Sequence, residues 1–277
     1  MAKASARRRL DKVLVDRGLA ASREAARELI TGRRVKVSCL LQTKPASMVD
    51  PEASIDVISS DHDGHWVSRG AYKLLKGLEE WGVVPDGLRC IDIGASTGGF
   101  TQVLLSRGAA RVAAVDVGYG QLAWSLRNDE RVLVMERTNA RYLTRDEIGW
   151  SADLLTVDVS FISLRLLLPT LEGLLAKNGR IIALVKPQFE VGRGKVGKGV
   201  VRDPGLHLDV LCGLDAFISD RLALALTGAT FSPIRGPEGN IEFLFMLSEK
   251  RSSRKEPIDF PALVMKAHEN FNDTGVD

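Results

Sequence analysis

From Ser68 to about residue 250 the chain alternates short apolar runs with stretches of helical spacing. No other feature restricts the fold as much. Strands are predicted near 88–93, 111–116, 131–135, 152–158 and 180–186. Helices are predicted between them, near 70–81, 98–107, 119–127 and 164–176. Such alternation buries the strands in a parallel sheet with helices on both faces, an α/β class. A longer helix-like stretch at about 205–226 precedes two apolar strands near 229–234 and 241–247, joined by "RGPEGN". So short a turn makes a hairpin, and the last strand is therefore expected to run antiparallel. Residues 251–277 are polar and are expected to be loosely ordered.

The first part of the chain differs in charge. Residues 1–36 hold eleven Lys/Arg against four Asp/Glu, a net +7, so the remaining residues net −4 of the overall +3. In "RRRLDKVLVDRGL", Leu10, Val13 and Leu14 fall on one helical face, and Gly18 can end that helix. Ser22 is a plausible N-cap for "REAARELI", with Ala26, Leu29 and Ile30 facing inward and Gly32 as the stop. "RRVKV" and "SIDVI" read as strands on either side of "TKPASMVDPEA", which reads as turns. Arg7, Arg8, Arg9, Arg23, Arg27, Arg33, Arg34 and Lys36 are left on polar faces. This surface suits a polyanion, because the guanidinium fork pairs bidentately with phosphate. The expected organisation is a small α+β domain at 1–58, a linker at 59–67, a large domain at 68–250 and the tail. Trp66 in the linker can either anchor it to a domain or stack on RNA.

Composition excludes several classes. At 45% hydrophobic and 26% charged residues the chain is of ordinary globular type. No apolar run has the length of a membrane span, and the basic N-terminus lacks a signal-peptide core. Cys39, Cys90 and Cys212 are scattered, so a reducing cytoplasm is expected. Histidines and cysteines show no metal-ligand spacing, and no metal is expected.

"LRCIDIGASTGGF", residues 88–100, runs a strand into a glycine-rich turn. Ser96 stands where a dinucleotide fingerprint needs its second glycine. Phe100 replaces the lysine of a phosphate loop. Residues 94–98 match a nucleophile elbow, but most of a hydrolase sheet should precede an elbow, and no suitable histidine follows. A plain strand-to-helix turn is the structural alternative. A ligand with a ribose but no polyphosphate fits better, and S-adenosylmethionine is the obvious candidate. Asp92, Gly94, Ala95, Ser96, Thr97, Gly98 and Gly99 would hold its amino-acid half. Asp116 ends the next strand and can accept both ribose hydroxyls, Asn139 in "ERTNARYL" can meet the adenine edge, and Asp158 at the end of the fourth strand is a further candidate contact of the donor.

Four ionisable residues stand in or beside apolar strands: Lys73, Asp158, Lys186 and Glu242. Charges in such places are costly unless paired, so they are expected to converge above the sheet beside the glycine turn. A structural ion-pair network is the alternative. After the fourth strand "TVDVSFISL" lacks the Pro-Pro of many amine methyltransferases, and no cysteine is placed for carbon-5 chemistry. The loop "EVGRGKVGKGVVRD" brings Arg193, Lys195 and Lys198, which either track an RNA backbone or stay solvated.

Residues 7–58 resemble the small RNA-binding module shared by ribosomal small-subunit protein S-four and pseudouridine synthases, although "SCLLQ" occupies a stretch that often carries Asn-Gly. "SRGAYKLL", "IDIGASTGGFT", "DVGYGQLAWSLRND", "ERTNARYL", "DVSFISL", "LVKPQFEVG" and "GPEGNIEFL" together resemble the TlyA family. That resemblance implies a Rossmann-like, FtsJ-like methyltransferase sheet, S-adenosylmethionine as donor, and cytidine 2′-hydroxyls of ribosomal RNA in one or both subunits as acceptors. It also implies that Lys73, Asp158, Lys186 and Glu242 form the Lys-Asp-Lys-Glu set of ribose methyltransferases. In that set Lys186 would be the base, Lys73 the neighbouring cation, and the two carboxylates the groups that orient the amines. A non-catalytic RNA-binding protein and a membrane-active cytolysin are the competing readings.

Overall fold

The computed structural model describes residues 7–20, 22–31, 35–38, 40–57, 66–192, 199–250 and 257–273. The chain forms two compact units, Met1–His65 and Trp66–Asp277.

In the first unit, β1 (Arg8–Arg9) leads directly into α1 (Leu10–Asp16), and α2 (Arg23–Thr31) follows. Next come β2 (Val35–Val37), β3 (Leu40–Gln42), β4 (Met48–Val49) and β5 (Ile55–Val57). Leu10, Val13, Leu14, Ala26 and Ile30 pack with Val35, Val37, Val49 and Ile55, as the helical spacing required. Ser22 Oγ accepts the Ala25 N–H at 3.1 Å and caps α2. Two details differ from the sequence reading. The leading arginines are extended rather than helical, because Arg8 and Arg9 pair antiparallel with Val49 and Met48. "SCLLQ" supplies a strand, entered through Ser38 at φ 49°, and β2 is the middle strand of an antiparallel three-stranded sheet.

The second unit opens with α3 (Ala71–Glu80), β6 (Arg89–Ile93), α4 (Gly99–Ser106), β7 (Arg111–Val115), α5 (Trp124–Arg127) and β8 (Val132–Met135). It continues through α6 (Arg145–Ile148), β9 (Ala152–Val157), α7 (Leu164–Glu172), β10 (Leu175–Val185) and α8 (Pro187–Glu190). It ends with α9 (Pro204–Arg221), β11 (Leu224–Phe231), β12 (Phe243–Glu249) and α10 (Phe260–Asp273). The seven strands lie in the order β11-β12-β10-β9-β6-β7-β8. Strands β10, β9, β6, β7 and β8 are mutually parallel, and β12 is antiparallel to both its neighbours, β10 and β11. One face carries a core of Ile91, Ile93, Leu167, Leu171, Leu211 and Phe245, and the other a core of Leu74, Leu78, Val103, Leu104 and Leu126. Trp66 is partly buried against the second core, so it anchors the start of this unit.

Several boundaries differ. The helix expected at 205–226 stops at Arg221. The Glu172 carboxylate accepts the N–H groups of Ala223 and Leu224, at 2.6 and 3.1 Å, and so starts the strand. Residues 119–123 are not helical, and α5 has a single turn. The tail needs correction: residues 260–273 are a helix that buries Phe260, Val264, Ala267 and Phe271 in the first core. Its apolar face was hidden in a polar average.

The tail helix meets α9 through two imidazoles. His207 is fully buried, its Nδ1 lies 2.9 Å from His268 Nε2, and its ring sits edge-on to Phe243. Burial lowers the His207 pKa from 6.5 to about 4, and His268 adds to that shift. A depressed histidine pKa favours the neutral form in the folded chain. Its stabilisation is therefore complete above pH 6.5 and is lost as the pH falls from 6.5 towards 4. The loss should be on the order of 3 kcal/mol. Urea unfolding of wild type and His207→Leu at matched pH values checks this: the variant should be markedly less sensitive between those limits. Parallel profiles would refute the assignment.

Candidate active site

Helices and strands bring the glycine turn to the point where the sheet changes direction. From β6 the chain proceeds outward through β7 and β8, then returns to the other side of β6 with β9. Ligands of open α/β sheets bind at such crevices, beyond the carboxyl ends of the strands. Here the N–H groups of Gly94 and Ala95 both donate to the Val115 carbonyl, at 2.8 and 3.1 Å. Gly94 has φ 82°, and an added Cβ would overlap the carbonyl oxygen of Asp158. Gly98, at φ 100°, turns the chain into α4 with Leu126 against it. These contacts fix the shape of a backbone cradle, because a side chain at either glycine would clash with the protein behind it.

Asp92 does not line that cradle. It is fully buried, and its carboxylate accepts hydrogen bonds from Thr101 Oγ1 at 2.7 Å and Thr156 Oγ1 at 2.9 Å. Its expected contact with a ligand is corrected to a brace beneath the turn, tying β6 to α4 and β9. Burial, opposed by these two hydroxyls, pushes its pKa up to about 6.

Asp116 lies just past β7. Its Oδ2 accepts the Ser96 N–H at 2.8 Å, and its Oδ1 accepts the Gly118 N–H at 2.7 Å. Each oxygen keeps a further lone pair. The Thr138 N–H donates to the Asp116 carbonyl, which brings the segment holding Asn139 alongside. Asn139 is exposed, and its Oδ1 accepts the Arg141 N–H.

The four charges form two close pairs. Lys73 Nζ lies 2.6 Å from Glu242 Oε2, with Lys73 nearly and Glu242 fully buried. Lys186 Nζ lies 2.7 Å from Asp158 Oδ1 and donates to Ser160 Oγ at 3.0 Å. Glu242 is raised above the ordinary carboxyl range by burial, opposed chiefly by Lys73 and further by Lys186, while Asp158 adds to the rise. That Lys186 and Asp158 both act on Glu242 brings the two pairs into one electrostatic cluster. Lys73 comes from α3, Asp158 and Lys186 follow β9 and β10, and Glu242 precedes β12. The antiparallel last strand is what brings Glu242 to the carboxyl ends.

Other site-side residues had weak signals or none. Ser160 and the 90%-exposed Phe161, at φ 66°, extend from the end of β9. Glu190 accepts from Ser163 Oγ and the Leu164 N–H, at 2.6 and 2.7 Å, and fixes that loop. Buried Asn240 accepts the Val201 N–H at 2.9 Å and donates to the Gly199 carbonyl at 3.0 Å. The basic-loop residues Arg193, Lys195 and Lys198 lie outside the described residues, as do Arg33 and Arg34. In the first unit, Arg7 and Lys36 are exposed. Arg8 pairs with Asp16 at 2.6 Å. Arg9, Arg23 and Arg27 converge on Asp11.

Comparison with known proteins matches residues 66–249 to the FtsJ-like methyltransferase family and residues 8–55 to the S4 domain. A 16S/23S rRNA (cytidine-2'-O)-methyltransferase TlyA from Mycobacterium tuberculosis is 51% identical over 87% of this chain and 90% of its own. Hemolysin A of Brachyspira hyodysenteriae is 38% identical over 85% and 98%. A solved structure from Streptococcus thermophilus, carried under the name hemolysin, is 38% identical, covers 98% of this chain and 99% of its own, and superposes with a TM-score of 0.78.

Gly94→Ala tests the cradle. Its methyl would meet backbone that no rotamer change can move, at a φ that disfavours alanine. Thermal unfolding should show a loss of roughly 2–4 kcal/mol, or about 5–10 °C in Tm. An unchanged Tm would refute the close approach of β6 and β9.

Proposed function

We propose, for a chain that belongs to the TlyA family of FtsJ-like methyltransferases, that it methylates the 2′-hydroxyl of cytidine in ribosomal RNA with S-adenosylmethionine as donor. The observation that carries this reading is the pair of Lys–carboxylate contacts, Lys73–Glu242 and Lys186–Asp158, beside the Gly94–Gly99 turn.

The donor would supply a methyl group on a positively charged sulfur. Backbone from Gly94 through Gly99 would take its amino-acid half, in a turn whose shape depends on Gly94 packing against Asp158 and Gly98 against Leu126 without a Cβ. The remaining lone pairs of Asp116 suit its two ribose hydroxyls, and the exposed Asn139, held by the Arg141 N–H, suits its adenine edge.

A ribose hydroxyl is a poor nucleophile until its proton leaves. In our reading the hydroxyl proton passes to the amine of Lys186, at the carboxyl end of β10, which returns it to solvent after transfer. Asp158 and Ser160 hold its Nζ in place. Lys73, buried against Glu242, is the group that steadies the charge developing on the oxygen. Most of the acceleration comes from alignment of oxygen, methyl and sulfur. Phe161 offers an exposed ring face on which a base can stack. The first unit, with its S4-domain match and exposed arginines, anchors the RNA. The cytolysin reading has no comparable site behind it. Among the described residues no helix is long and apolar enough to cross a membrane.

Transfer of labelled methyl to isolated small and large ribosomal subunits tests the proposal. Wild type should label one or both. Lys186→Ala should lose roughly 10²–10⁴-fold in rate while binding the donor within about threefold of wild type. No label from a wild-type chain that binds the donor would overturn the acceptor assignment. A large loss of donor affinity in the variant would overturn the role of Lys186.

A further inference from the structure

Asp11 is the most unusual residue of the first unit. It lies on α1, is inaccessible to solvent, and has no neutral environment to explain its burial. Three arginines meet its carboxylate. Arg9 donates from both Nε and a terminal nitrogen, at 3.0 and 2.8 Å, as a bidentate fork. Arg23, at the first turn of α2, donates to the same carboxylate at 3.2 Å. Arg27, one turn further along α2, places its Nε 3.8 Å away. The Arg9 guanidinium, followed by Arg23, holds the Asp11 carboxyl far below the usual carboxylate range. The carboxylate form is therefore favoured in the folded chain.

Three guanidinium groups would repel one another if they were gathered without this carboxylate. One negative charge among three positive charges leaves a net +2. The outer faces remain open: the three side chains are 42, 57 and 59% exposed. Arg9 spends its Nε edge on Asp11, and Arg23 only one terminal nitrogen. The other N–H groups of these part-exposed side chains are not spent on the shared, buried pivot. Long flexible side chains lose much rotamer entropy when they grip a ligand, and a pivot that orders them beforehand removes part of that cost.

We infer that Asp11 is a positioning residue for RNA: it organises Arg9, Arg23 and Arg27 into one preformed site for successive phosphates of an RNA backbone. This rests on the reading of the first unit as the RNA anchor. Two accounts of Asp11 predict opposite signs. If it only neutralises charge, its removal raises the positive potential, tightens RNA binding and steepens the salt dependence. If it positions the arginines, its removal weakens binding although the net charge has risen by one.

The test uses the full chain and a fluorescein-labelled RNA stem–loop of mixed sequence, titrated at several salt concentrations. Asp11→Asn should bind about tenfold more weakly than wild type, with a shallower salt slope. Arg9→Lys keeps the charge but loses the fork, leaves the buried carboxylate in place, and should weaken binding about three- to tenfold. Arg23→Ala should weaken binding and reduce the slope by about one. Tighter binding by Asp11→Asn, or wild-type affinity in Arg9→Lys, would overturn the positioning role. If Asp11→Asn melts early, Arg9→Lys alone decides. Failure of the anchor reading looks different: every arginine variant, Arg23→Ala included, would then bind with wild-type affinity and slope, and the positioning role would fall with it.

Discussion

The backbone of β6 passes so close to that of β9 that only a residue without a Cβ can stand at Gly94. The site depends on this contact. It sets the glycine turn against the carbonyl of Asp158, so the proposed donor cradle and the Asp158–Lys186 pair share a wall. Asp92 supports the same contact from below, through hydroxyls of α4 and β9. A carboxylate buried there is costly, and its raised pKa is a sign of that cost. The cost is offset by tying three elements together directly beneath the turn.

The second constraint is charge. Asp158, Lys186 and Glu242 lie at the ends of buried strands and Lys73 on α3, and each ammonium is neutralised by a carboxylate within 2.7 Å. An unpaired charge in that position would destabilise the sheet by several kcal/mol. Pairing therefore permits the amines to be present, while the cluster as a whole remains balanced and positioned. The antiparallel insertion of β12 between β10 and β11 is essential, because it delivers Glu242 to Lys73. A parallel last strand would have left that residue at the amino ends of the strands, away from Lys73.

The first unit solves a related problem in the reverse sense. Its surface is rich in arginine, and one buried carboxylate gathers three of those side chains. In the second unit each buried cation has its own anion, and little net charge results. In the first, the anion is outnumbered, and a net positive surface remains for a polyanion. The same interaction serves chemistry in one place and recognition in the other.

Local patterns were enough to read the alternating strands and helices, the glycine turn, Asp116 at the end of its strand, and the four charges that interrupt apolar runs. Each of these is encoded in periodicity or in a residue type out of place within a few positions. The chain's order of elements also determined the antiparallel ending, since a short turn admits only a hairpin. Tertiary structure alone decided the rest. Asp92 looked like part of the turn, but the strand's alternation sent it inward to Thr101 and Thr156. The start of β11 is set by Glu172, which is far away in sequence. The tail became a packed helix because Phe260, Val264, Ala267 and Phe271 found an open face of the core. Asp11 and its arginines looked like unrelated polar residues until β1, α1 and α2 brought them together. Sequence periodicity reports which side of an element is apolar, whereas the partner of a buried polar atom depends on which distant segments close over it.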